Sequence, residues 1–160
     1  MPKKIKKILL IFPPVTRPKD FSAKIVRISI FFPLGLAYIA AFLEKITKYE
    51  IKIIDALCEG DTTEGVFLSD GEFIRYGLED EDIARKISEF CPDVVGVSCL
   101  FSAMQADAIN ICKIVKRTNP EILTVIGGAH AGPIATELLD KEEVVDFVVQ
   151  GKGKLLLPIF

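Results

Sequence analysis

The stretch Asp93–Gly132, DVVGVSCLFSAMQADAINICKIVKRTNPEILTVIGGAHAG, holds two short apolar runs separated by a longer mixed segment. Asp93–Ser98 and Ile122–Ile126 are rich in β-branched residues and read as buried strands. The segment between them is predicted as a helix that Ser102 caps, with Gln105 three residues on completing a capping box, and that runs to Arg117. Strand, helix, strand in this order makes the strands parallel, joined by a right-handed crossover. The turns after the strands, Ser98-Cys99-Leu100 and Gly127-Gly128-Ala129-His130, then lie side by side. Open parallel sheets bind ligands at that carboxyl edge, so these turns are the first candidates for a site.

Working outward, the same alternation recurs. Lys7–Phe12 is an apolar strand closed by Pro13-Pro14, and a long loop follows to Pro33, whose apolar part, Ile25–Phe32, offers an extra short strand or a surface for a partner domain. Leu34–Lys48 carries Leu36, Ile39, Ala40, Leu43 and Ile46 at helical spacing. Glu50–Asp55 is a second strand. An insert over residues 57–78 breaks the pattern: Val66-Phe67-Leu68, a Ser69-Asp70-Gly71 turn and Phe73–Tyr76 predict a small hairpin. Glu79–Phe90 is an acid-started helix stopped by Pro92. After Ile126, a short helix begins at Pro133 and runs to about Asp140, and a fifth strand, Val144–Val149, ends at Gly151. Five strands alternating with helices predict an α/β, doubly wound parallel sheet in the order 2-1-3-4-5, the flavodoxin-like arrangement. Its crevice lies between the first and third strands.

Composition agrees with one such domain over residues 1–151. The chain has 160 residues, half of them hydrophobic, with a mean hydropathy of +0.38, yet 26% are charged. Strands buried on both faces explain that excess. A net charge of -2 leaves no electrostatic footprint for nucleic acid. The run Ile28–Leu43 is too short, and broken by Pro33, to span a membrane. Cys58, Cys91, Cys99 and Cys112 show no metal spacing and read as reduced thiols of a cytoplasmic protein. No protein metal ligand and no catalytic residue is predicted.

Known strand-end chemistries can be tested against these turns. A receiver domain needs carboxylates after the first and third strands, where Phe12-Pro13 and Ser98-Cys99 stand instead. Neither G-x-G-x-x-G nor G-x-x-x-x-G-K followed by Ser or Thr occurs. A flavin phosphate loop would need more hydroxyls after the first strand than Thr16 alone.

One pattern fits. Ser98-x-Leu100, twenty-six residues, then Gly127-Gly128 resembles the S-x-L and G-G elements of cobalamin-binding domains. Paired glycines let a flat aromatic base approach the backbone, and a serine hydroxyl can meet a ring nitrogen. The D-x-H-x-x-G element of cobalamin mutases is absent: the loop reads Pro13-Pro14-Val15-Thr16-Arg17-Pro18. The phrases Ile8–Pro14, Pro33–Tyr38, Pro92–Gly96 and Gly127–Ala131 resemble the amino-terminal domain of cobalamin-dependent radical S-adenosylmethionine enzymes, such as the anaerobic magnesium-protoporphyrin IX monomethyl ester cyclases. That resemblance implies base-off cobalamin without a histidine ligand, held by Pro14, Val15, Thr16, Ser98, Leu100, Phe101, Gly127, Gly128, His130 and Gly151. It also implies a C-terminal radical domain carrying an iron–sulfur cluster and S-adenosylmethionine, since no C-x-x-x-C-x-x-C occurs here. In such an enzyme this module would present methylcobalamin for methyl transfer or oxidative ring formation, without turning over alone.

The family's G-E-G-E is replaced by Gly151-Lys152-Gly153-Lys154. Residues 152–160 are expected to be a tail whose apolar end, Leu155–Phe160, meets that further domain or a second copy in a homodimer. His130, the single histidine, either contacts the cofactor's nucleotide loop or satisfies the start of the next helix. The alternative function is an interaction or regulatory domain that keeps the fold without the cofactor.

Overall fold

The computed structural model describes residues 5–20 and 32–151. Its main sheet joins β1 (Lys7–Phe12), β3 (Glu50–Asp55), β6 (Val94–Ser98), β7 (Leu123–Gly127) and β8 (Phe147–Val149) in the order β3-β1-β6-β7-β8, all parallel. Renumbered as five strands, this is the expected 2-1-3-4-5. Every residue of β6 is buried, which is why that strand is apolar or small throughout.

Period-two alternation sends successive side chains to opposite faces. Leu9, Ile11, Val95, Val97 and Ile126 pack against α2 (Asp80–Phe90), α3 (Gln105–Thr118) and α4 (Ala135–Lys141), through Ile83, Ile87, Ile111, Ile114 and Leu138. Ile8, Leu10 and Phe12 turn the other way, onto Leu36, Ala40 and Leu43 of α1 (Leu34–Ile46). That helix lies over β1 and β3. Among the described residues no helix covers β6, β7 and β8 on its side.

The insert is larger than a hairpin. β4 (Asp61–Phe67) and β5 (Phe73–Gly77) pair antiparallel around the expected turn, but β2 (Val15–Pro18) adds a third strand, giving the order β2-β5-β4. The loop after β1 is therefore in part a strand. It escaped the periodicity because it spans four residues and ends in Pro18, which an edge strand tolerates. Thr16 is fixed by Asp107 of α3: its N–H donates to Oδ2 at 2.9 Å and its hydroxyl to Oδ1 at 2.6 Å. Arg75 of β5 pairs with Asp80 at the start of α2, tying the small sheet to both helices. The extra strand expected within Ile25–Phe32 and the tail at 152–160 lie outside the described residues, apart from Phe32.

Several boundaries differ from expectation, three of them with a visible cause. The capping box is not formed: Ser102–Met104 make a 3₁₀ turn, α3 starts at Gln105, and no side chain caps it. Gln105 instead bonds His130 across the sheet edge. α1 ends at Ile46 rather than Lys48, because the Thr47 hydroxyl donates to Leu43 O at 2.7 Å and closes the last turn. β8 starts at Phe147, three residues late, after a turn in which Val145 N–H donates to Glu142 O.

Candidate functional site

The bare half of the sheet is a groove of about 310 Å³. Two register rows make its floor. Leu10, Gly96 and Val125 stand side by side, and beyond them, nearer the carboxyl edge, Ser98, Gly127 and Val149. The opposing wall is the entry to α1, with Pro33, Leu34 and Ile39 lining it. Leu34 is 70% exposed and Phe32, at the mouth, 74%, an unusual price in hydration for two large apolar side chains.

Among the described residues no charged side chain lines this groove. The one side-chain hydroxyl among those lining residues belongs to Ser98, only 7% exposed, and no described residue hydrogen-bonds it. A hydroxyl that faces a groove can be completed there by a ligand or by water. The described apolar walls and the Ser98 hydroxyl suit a flat, largely apolar ligand such as an aromatic base.

The two neighbouring glycines answer to different demands. Gly128 has φ +126°, and a Cβ there would lie 2.4 Å from Cys99 O, so the backbone itself requires glycine. Gly127 is under no such demand: its Cβ would meet nothing nearer than Val149 Cβ at 3.5 Å, an ordinary contact. A side chain at Gly127 would project into the groove. Gly35, on the opposite wall, likewise has open space around it.

Five of the sequence-predicted site residues line this groove: Ser98, Leu100, Gly127, Gly128 and Gly151. The other five lie elsewhere. Pro14 is buried just before β2 and Val15 is buried as its first residue, Thr16 is engaged by Asp107, and Phe101 is 59% exposed on the turn after β6. His130 belongs to the second turn but does not line the groove, and is bonded to Gln105. The groove is also lined by the α1 entry and Gly96, which the sequence does not single out: Pro33–Tyr38 carries only the family resemblance, and nothing local in Gly96 tells a groove floor from an ordinary strand glycine.

Cys99, between the two turns, is buried, which pushes its thiol up to about 11 and keeps it protonated at neutral pH. The described residues contain no cluster of His, Cys, Asp and Glu able to hold a metal ion. Among them no helix is long and apolar enough to cross a membrane.

Set against known proteins, residues 24–160 match the B12 binding domain family. The chain is 43% identical over 124 residues to the cytidylyl-2-hydroxyethylphosphonate methyltransferase of Streptomyces wedmorensis, covering 78% of this chain and 23% of that one. It is 35% identical over 153 residues to an uncharacterized methyltransferase of Pyrococcus horikoshii, covering 95% and 28%. It is 25% identical over 125 residues to the anaerobic magnesium-protoporphyrin IX monomethyl ester cyclase of Rubrivivax gelatinosus, covering 78% and 19%. The chain thus spans about a quarter of the length of these relatives. Among solved structures it is similar to the receiver domain of a sensor histidine kinase from Pseudomonas aeruginosa, with a TM-score of 0.53 and 10% identity over 98% of this chain and 95% of that one. That likeness is one of fold, since Phe12-Pro13 and Ser98-Cys99 occupy the strand ends where a receiver needs its carboxylates.

Proposed function

The chain belongs to the B12 binding domain family, and we propose that its groove takes the nucleotide tail of cobalamin, with the corrin lying over the carboxyl edge of β1, β6 and β7. The observation that carries this reading is Gly127, whose missing side chain nothing in the fold requires and whose place opens into the groove. The base would lie against the Gly127 backbone and Val125, with the Ser98 hydroxyl donating to a ring nitrogen. Leu34, Leu36 and Ile39 would close over it and exclude water. When bound, the cofactor supplies a cobalt centre able to carry and transfer a methyl group.

We further propose that this module serves a longer polypeptide, in which a radical S-adenosylmethionine domain with its iron–sulfur cluster performs the reaction. The methyltransferase names of the relatives at 43% and 35% identity, against a cyclase at 25%, support methyl transfer over ring formation. The cofactor would be base-off and without a histidine below the cobalt. The loop after β1 has none, and the one histidine of the chain is bonded to Gln105.

The test is direct. The protein is mixed with hydroxocobalamin, passed through a desalting column and its visible spectrum recorded; retained corrin absorbance is expected. Loss of all colour would sink the reading in favour of a cofactor-free interaction domain. Full retention by both Gly127→Phe and Ser98→Phe would place the cofactor elsewhere.

A further inference from the structure

We infer that His130 is a positioning residue, latched to Gln105, which holds the Gly127–Gly128 turn in place as a wall of the groove; the inference rests on the cobalamin reading of that groove. His130 Nε2 lies 2.9 Å from Gln105 Oε1. An amide oxygen only accepts, so the imidazole carries its proton on Nε2 and donates it. Gln105 opens α3, directly after the turn that follows β6, whereas His130 sits in the turn that follows β7. The bond therefore spans the two strand ends that flank the groove.

Two backbone bonds run beside it. Cys99 N–H donates to Gly127 O at 2.7 Å, and His130 N–H donates to Cys99 O at 3.3 Å. The first is short and the second long, so the far side of the turn is the weaker one, and the side-chain latch reinforces it. Gly128 is pressed against Cys99 so closely that no Cβ would fit, which leaves the turn little freedom provided that the latch holds. Gln105 has given up a capping role to make this contact: α3 begins without any side-chain cap. The imidazole itself lines no part of the groove. His130 acts on the ligand through the glycine turn, neither touching the base nor binding cobalt.

The experiment compares His130→Ala, Gln105→Ala, the double variant and His130→Gln. Glutamine places an amide N–H near the position of Nε2 and keeps the donor. Each alanine variant is expected to weaken hydroxocobalamin binding roughly tenfold, the scale of lost support behind a ligand site. The double variant should be no weaker than either single one, because both remove the same bond. His130→Gln should recover most of the loss. In the cofactor-free protein, backbone amides over Ala129–Gly132 should exchange faster in both alanine variants. In the cobalt(II) state the paramagnetic resonance spectrum should match between parent and His130→Ala.

Additive losses, unchanged exchange, or nitrogen coupling to cobalt that His130→Ala abolishes would each overturn the latch. Should His130→Ala not fold, His130→Gln and His130→Asn decide, since asparagine falls short of Gln105: equal behaviour of the two overturns the inference. If the parent retains no cobalamin, the reading of the groove fails by itself, while the exchange comparison still decides the latch.

Discussion

The two faces of the sheet around β6 and β7 differ in what they do with side-chain volume. On the helix-covered face the strands present Val95, Val97 and Ile126 at 2% exposure or less, filled in by three helices. On the other face the same strands present Gly96, Ser98 and Gly127, with a groove in place of a helix. One face is packed with large side chains; the other withholds volume at Gly96 and Ser98 of β6 and at Gly127 of β7, beside Val125. The difference teaches that small residues alternating with large ones along a parallel strand mark a face reserved for something outside the strand's own core.

That contrast can be broken from either side. The largest effect is expected on the packed face, where Ile126→Ala should cost about 2–5 kcal/mol in urea unfolding, since three helices cannot collapse onto the cavity. Next comes Gly127→Phe on the groove face. It should lower hydroxocobalamin affinity by roughly 100-fold, about 2.7 kcal/mol, while the midpoint of unfolding moves little. A comparable loss of stability in Gly127→Phe would show that the groove is part of the core. Gly128→Ala should cost about 1–3 kcal/mol of stability, from strain at positive φ and the clash with Cys99 O, and should weaken binding only as a consequence.

The smallest effect concerns Asp107, on the sealed side, where it anchors β2. Burial pushes its carboxyl above the ordinary range, although the two bonds from Thr16 pull it back. A raised folded value means that the native state holds its proton more tightly than the unfolded chain. Its contribution is therefore fully present below the ordinary aspartate range and falls as pH rises through the raised value. Asp107→Asn should flatten that decline in unfolding free energy measured from acid to neutral pH. A steeper decline in the variant would contradict the burial argument.

The parallel sheet was legible because buried strands such as Ile8–Phe12 and Val94–Val97 are short runs of apolar or small residues, the first closed by Pro13 and the second set between Pro92-Asp93 and Ser98. The hairpin was legible from Ser69-Asp70-Gly71. β2 was not, since Val15–Pro18 has no period to detect and its partner, β5, lies nearly sixty residues away. The groove was half legible. Its floor follows from two turns on successive strands, but its α1 wall depends on where a helix packs, which spacing alone does not fix. Gln105 shows the limit most plainly: the local pattern Ser102-x-x-Gln105 fits a capping box, and a residue 25 positions away took the side chain instead.

The small sheet carries a consequence for behaviour in crowded solution. β4 is one of its two edges, and no described strand pairs with its outer side, beside Val66 and Phe67, which are 42% and 60% exposed. Such an edge invites pairing with another chain. Here the register breaks between Asp61 and Val66, so no long straight edge is offered, and Asp61 and Glu64 place negative charge along it. Kink and charge are the devices by which a sheet edge discourages such pairing.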